Sequence, residues 1–198
     1  MNAAIPHHAL AFSCQQLFLE RKDLEGSADH LRKATKDYPQ YTDAYVLLGM
    51  VYIEGGKLED ARGVLEKAAA SDPNSANAQI TLGMLLNHEK DYASAEKSLT
   101  RGLELDPQAP QGQYELAKTL WALGRWQDAE PHVQKALELR SDMAPAHVLM
   151  GNIALRKRSP ELALKEFKEY LRLDPKGPMA AGVHQMVEKL EQSASTAH

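Results

Sequence analysis

Residues 42–75 read TDAYVLLGMVYIEGGKLEDARGVLEKAAASDPNS. Apolar side chains at Tyr45, Leu48, Tyr52 and Ile53 recur at helical spacing. Gly55-Gly56 breaks that stretch, and Leu58, Ala61, Leu65, Ala68 and Ala69 give a second amphipathic helix. Asp72-Pro73 ends it, because proline lacks an N–H and disfavours helix in the residue before it. The stretch therefore predicts a helix, a turn and a second helix.

The same pattern returns every 34 residues. Pro39, Pro73, Pro107 and Pro175 lie on one grid, with Ser141 at the empty point. Leu48, Leu82, Leu116 and Met150 form one column, and Gly49, Gly83, Ala117 and Gly151 the next. Ala61, Ala95, Ala129 and Ala163 follow, then Leu65, Leu99, Val133 and Phe167. Leu24, Leu58, Tyr92, Trp126 and Pro160 make a fifth. A fixed period of this length is the signature of a stacked repeat array. Gly49 and Ala61 fall where two helices must approach closely, so the alanine column is expected to be buried. Asp72, Asp106 and Asp174 precede grid prolines and read as turn residues on separate repeats, too far apart to act as paired carboxylates. Pro131 is expected in the first turn of its helix, with Asp128 as N-cap, because a mid-helix proline costs about 3 kcal/mol.

These columns resemble the tetratricopeptide repeat family. The resemblance covers residues 8–177 as five repeats: 8–41, 42–75, 76–109, 110–143 and 144–177. Repeat 42–75 is closest, with Tyr45, Leu48-Gly49, Tyr52, Ala61, Leu65, Ala68 and Pro73 in place. Repeat 8–41 is degenerate: Cys14, Gln15 and Ser27 stand for the leucine, glycine and alanine, while Phe18, Leu31, Ala34 and Pro39 remain. The resemblance implies an all-α, right-handed solenoid of antiparallel helix pairs. Residues 1–7 precede it as a flexible segment. Residues 178–192 are expected to form a capping helix, with Met179, Val183, Met186, Val187 and Leu190 on one face, and 193–198 a disordered tail.

The chain has 198 residues and a net charge of −4, with no run of five or more basic residues, which disfavours nucleic acid and anionic membrane as partners. No apolar stretch is long enough to insert in a bilayer. The single cysteine, Cys14, excludes an internal disulfide framework and reads as a small core hydrophobe. The eight histidines form no metal-ligand spacing, His7-His8 reads as a surface pair, and no phosphate loop or nucleophile elbow is present. No catalytic residue, metal or cofactor is therefore expected. The absence of a leader points to the cytoplasm, or to the periplasm if a leader has been removed, and the chain can also be read as part of a larger protein.

By the resemblance, the first helix of each repeat lines a concave groove, and the inward positions lie between the core leucines. They are Asp43, Val46, Met50 and Ile53; Asn77, Ile80, Met84 and Asn87; Gln111, Tyr114, Lys118 and Trp121; then Val148, Asn152 and Leu155. An exposed apolar stripe marks an interaction site, so the expected function is a scaffold holding a partner peptide or helix. The alternatives are a periplasmic or outer-membrane-associated assembly factor, or the recruiting arm of a larger enzyme. A homo-oligomer is a further possibility. Glu20, Asp43 and Glu54 make one end acidic; Lys118 and Arg156, with Asn152 one turn before Arg156, make the other basic. The peptide's basic end is thus expected near the former and its acidic end near the latter. Lys118 and Asn152 share a column suited to holding a carboxylate. Relatives that grip acidic chaperone tails use lysines and asparagines where this chain has Val46, Met50, Ile80, Met84 and Tyr114, so that activity is disfavoured. The competing reading is that neighbouring first helices bury part of the stripe, or that the N-terminal segment fills it.

Overall fold

The computed structural model describes residues 23–196. Cys14, Phe18, Glu20 and the His7-His8 pair, and with them the first helix of repeat 8–41, lie outside the described residues. Ten helices and no strands are found among those described. They fall into two compact units, one ending at Pro107 and one beginning at Gln108.

The first unit contains α1 (Leu24–Asp37), α2 (Thr42–Glu54), α3 (Leu58–Ser71), α4 (Ala76–His88) and α5 (Tyr92–Leu105). α1 is the second helix of the degenerate repeat, and α2/α3 and α4/α5 are complete pairs. The breakers act where the sequence places them: α3 ends at Ser71 before Asp72-Pro73, and α5 at Leu105 before Asp106-Pro107. Polar caps open several helices, with Asp23 accepting from Gly26 N–H, Ser75 from Ala78 N–H and Asp91 from Ser94 N–H.

The second unit contains α6 (Pro110–Ala122), α7 (Trp126–Leu139), α8 (Ala144–Arg156), α9 (Pro160–Leu173) and α10 (Ala180–Thr196). α10 lays Val183 and Val187 against Phe167, Tyr170, Ala154 and Ala163. Met179 N–H donates to Tyr170 Oη at 3.2 Å, which fixes the entry to α10. The helix runs to Thr196, past the expected end at Gln192. No glycine or proline interrupts Ser193–Thr196, and the Ser193 hydroxyl donates to the Lys189 carbonyl.

The columns meet as pairs inside each hairpin. A Cβ on Gly49 would lie 2.5 Å from Leu65, one on Gly151 would lie 2.5 Å from Phe167, and Gly83 abuts Leu99 as closely. Where repeat 110–143 has Ala117 instead of glycine, the facing column holds the smaller Val133, and both are fully buried. Total volume is thereby conserved, as a close-packed interior requires. Ala61, Ala95, Ala129 and Ala163 are all 0 % exposed, as their column predicts.

The turn inside each hairpin repeats too. Gly56, Lys90, Gly124 and Arg158 occupy one column and all have positive φ, at 70°, 62°, 79° and 58°. Each is followed by an N–H that reaches back to close the first helix: Lys57 to Tyr52, Asp91 to Leu86, Arg125 to Leu120 and Ser159 to Ala154, at 2.8–3.0 Å. This is a left-handed C-terminal cap.

Charge is used between successive hairpins. Arg62 bridges to Glu89 in the first unit, and Lys157 Nζ lies 2.5 Å from Glu130 in the second. Arg62 and Glu130 stand in one column, Glu89 and Lys157 in another, so the two bridges are the same contact with its charges exchanged.

Pro131 departs from expectation. α7 starts at Trp126 with Arg125 as N-cap, so the proline is the sixth helical residue. Asp128 does not cap; it accepts from Arg125 Nε at 2.8 Å. Burial of Ala129, Val133 and Ala136 fixes the helix from its start. The carbonyl deprived of a donor belongs to exposed Gln127, where water can serve it.

Candidate functional site

The inward positions of the first helices divide by burial. In the N-terminal unit Val46 packs with Ala68, Ala78 and Tyr45, and Ile53 belongs to the cluster of Leu48, Tyr52 and Leu65. Ile80 packs on Gly102, whose hypothetical Cβ would lie 2.6 Å from Ile80 Cγ1. Asn87 is buried as well. These four side chains therefore form packing, and the expectation of an open apolar stripe through them is corrected. The reason is local: small residues at Ala68, Ala78 and Gly102 let the neighbouring helix close over the stripe. What stays accessible is Met50, at 37 % exposure, with Met84 half-buried and Asp43, Glu54 and Asn77 at the surface.

The C-terminal unit keeps more of its inward residues in reach. Tyr114, Lys118, Trp121, Val148, Asn152 and Leu155 are half-buried, and Arg156 is exposed. Tyr114 and Trp121 are two turns apart on α6. Each carries a cation over its ring: Lys118 Nζ lies 5.7 Å from the Tyr114 centroid, and the Arg156 guanidinium 5.9 Å from that of Trp121. The two cations differ. Lys118 Nζ is 2.5 Å from Glu115, a buried carboxylate that also accepts from Gln111. Arg156 makes no ion pair among the described residues, and its side chain is exposed. A guanidinium at the surface can pair with a planar acceptor such as a carboxylate. Lys118 and Asn152 share a column, but the Lys118 charge already has a partner. Burial, and then the neighbouring Glu115 charge, push the Tyr114 phenol well above its ordinary range, so it stays neutral.

Beyond Val148 and Asn152, a cavity of about 430 Å³ opens between α8, α9 and α10. It is lined by Val148, Asn152, Phe167, Met179, Gly182 and Met186 among others.

A polar cluster sits elsewhere in this unit. His147 Nδ1 lies 2.7 Å from Glu166 Oε2, and its Nε2 lies 2.9 Å from the Ser141 carbonyl. Sequence reading missed it. The signal was the column pair that also holds Gln113 and His132, joined at 2.7 Å through Gln113 Oε1 and His132 Nδ1. Among the described residues no group of His, Cys, Asp or Glu is placed to hold a metal ion, and no helix is long and apolar enough to cross a membrane.

Comparison with solved structures finds the same helical array in several proteins. Pseudomonas aeruginosa PilF is 20 % identical, over 96 % of this chain and 88 % of that one, with a TM-score of 0.77. A thermophilic tetratricopeptide protein of Thermus thermophilus is 15 % identical, over 93 % and 98 %, at 0.72. YrrB, a tetratricopeptide protein with an unusual peptide-binding site, is 20 % identical, over 89 % and 90 %, at 0.62. At these identities the likeness shows the fold alone. No curated protein matches the sequence. Family models for the tetratricopeptide repeat match residues 18–85, 86–138 and 114–178. With the period, the glycine–leucine contacts and the repeated turn all in agreement, the chain belongs to the tetratricopeptide repeat family.

Proposed function

We propose that this protein is a non-enzymatic interaction scaffold whose first helices hold a peptide or helix of a partner protein. The fold is a general protein–protein interaction scaffold, and one solved protein of similar fold is described as having a peptide-binding site. The observation that carries the reading is Trp121. It is a half-buried aromatic on the inward face of α6, with the Arg156 guanidinium, which has no ion pair among the described residues, 5.9 Å from its ring centroid. Aromatic and arginine side chains dominate binding hot spots, at about 2 kcal/mol or more each. In the N-terminal unit, Met50 and Met84 offer a softer apolar contact suited to varied shapes.

Affinity capture with mass spectrometry, comparing wild type with Trp121→Ala, tests this. A partner retained by the wild type should leave the variant faster, while the variant keeps its helical circular dichroism. Arg156→Glu should mainly slow association and weaken its salt dependence. A partner that both variants hold as the wild type does places the ligand elsewhere.

A further inference from the structure

The inward columns do not stop at the last repeat. The column of Val46, Ile80, Tyr114 and Val148 continues, 34 residues on, to Gly182 of α10. The column of Met50, Met84, Lys118 and Asn152 continues to Met186. Where the preceding members of the first column carry a large side chain, α10 carries none. A Cβ built on Gly182 meets nothing within 4 Å, and the residue is exposed. Gly182 is one of the residues that line the cavity of about 430 Å³ between α8, α9 and α10.

Its walls are apolar and adaptable. Val148 and Phe167 form the floor side, and Met179 and Met186 have flexible thioethers that conform to different shapes. Asn152 is a single polar group at the wall, able to bond a main-chain amide. Among the described residues, no charged residue lines the cavity. The nearest charge on the same face of α8 is Arg156, four residues and so about 6 Å along the helix from Asn152. Arg156 has no carboxylate partner among the described residues, and its side chain is exposed.

We infer that this cavity seats a large apolar side chain of an acidic peptide segment, with a neighbouring carboxylate bridging to Arg156. The inference rests on the scaffold reading and gives it a ligand class. An apolar pocket one helical turn from an exposed cation with no carboxylate partner among the described residues selects leucine, isoleucine, methionine or phenylalanine next to aspartate or glutamate. A basic segment meets repulsion at Arg156.

The test pans phage-displayed random dodecapeptides on the full chain, then measures fluorescein-labelled synthetic winners by anisotropy. Gly182→Leu is the blocking variant. It fills the cavity where the structure offers open space, in a helix that prefers leucine to glycine. Winners should carry the apolar–acidic pairing and shift the methyl resonances of Met179 and Met186. They should bind Gly182→Leu about tenfold or more weakly, the scale of losing a buried anchor. Arg156→Gln should weaken binding several-fold at low salt and less at high salt. Winners that bind Gly182→Leu as the wild type does, or that share no acidic–apolar pairing, overturn the inference. So does a concentration-dependent dimer that Gly182→Leu abolishes, which would assign the cavity to a second copy. If Trp121→Ala releases the peptides and Gly182→Leu does not, the scaffold face stands and the cavity assignment fails. If neither releases them, both fail.

Discussion

His147 and Glu166 face each other across the α8/α9 hairpin, with imidazole Nδ1 2.7 Å from carboxylate Oε2. The second ring nitrogen is 2.9 Å from the Ser141 carbonyl. A carboxylate and a carbonyl are both acceptors, so only the doubly protonated imidazolium satisfies both contacts. Ser141 is the one grid point without a proline, and there the histidine ties the turn to the helix pair.

The protonation of His147 should therefore be visible in stability. Burial disfavours the imidazolium, but the Glu166 bond, the Ser141 carbonyl and the charges of Glu166 and Glu169 outweigh it and raise the pKa above the ordinary histidine range. Asp142, Lys165 and Arg172 also line this site. A raised folded-state pKa gives stability that is complete below the unfolded pKa, about 6.5, and is lost as pH climbs through the folded one. Thermal melts of wild type should fall as the pH rises above about 6.5 relative to His147→Gln, which keeps a donor for Glu166 but does not titrate. The low-pH difference should be about 1.5–3 kcal/mol, the range for a hydrogen bond to a charged group. Parallel melting curves for the two proteins would show that His147 contributes nothing through its charge.

The turn column carries two residues in a glycine conformation. Lys90 and Arg158 have φ of 62° and 58° where Gly56 and Gly124 have 70° and 79°. A side chain there costs about 1–2 kcal/mol. Lys90→Gly and Arg158→Gly should each raise stability by about 1 kcal/mol, and Gly124→Ala should lower it by a similar amount. Urea denaturation measures all three; destabilisation by both glycine variants would mean that those side chains make contacts worth more than the strain.

The paired columns predict compensation. Gly83→Ala should cost about 1–3 kcal/mol, because the new methyl overlaps buried Leu99. Leu99→Val alone should cost about 1 kcal/mol from the lost methylene. Together they recreate the Ala117/Val133 combination, and the double variant should be more stable than the sum of the two losses. A double-mutant cycle gives the coupling energy, and strict additivity would count against the pairing.

Pro131 sits six residues into α7 on the exposed side. Pro131→Ala restores an N–H for Gln127 and should stabilise by about 1–3 kcal/mol, up to the usual cost of an interior proline. A scanning-calorimetry melt unchanged by the substitution would indicate that the surrounding helix has already absorbed the defect.

The fold was legible because period, breakers and small-residue columns all repeat. Pro73, Gly49 and Ala61 each have a local physical reason that needs no knowledge of the rest of the chain. The exposure of the inward face was less legible. Helical spacing tells which way Val46 and Ile80 point, but not whether a neighbouring hairpin covers them. The small residues that allow the cover, Ala68, Ala78 and Gly102, lie on other helices, so the information is spread between repeats. The start of α7 misled for a related reason. A local rule about Pro131 competed with burial of Ala129, Val133 and Ala136, and the packing won. The His147–Glu166 pair was hidden because its column changes chemistry from repeat to repeat.

The exchanged bridges, Arg62 with Glu89 and Glu130 with Lys157, bear on how such arrays can be rebuilt. A hairpin carrying Arg62, spliced directly ahead of the turn that carries Lys157, would set cation against cation. The reverse splice would set Glu130 against Glu89. Each contact is a partly exposed pair worth about 1 kcal/mol or less, too little to decide folding. It is enough to act as an address. Within each unit the bridge favours the native neighbour over the exchanged one, so at these two junctions the order of hairpins is marked by charge as well as by the covalent chain.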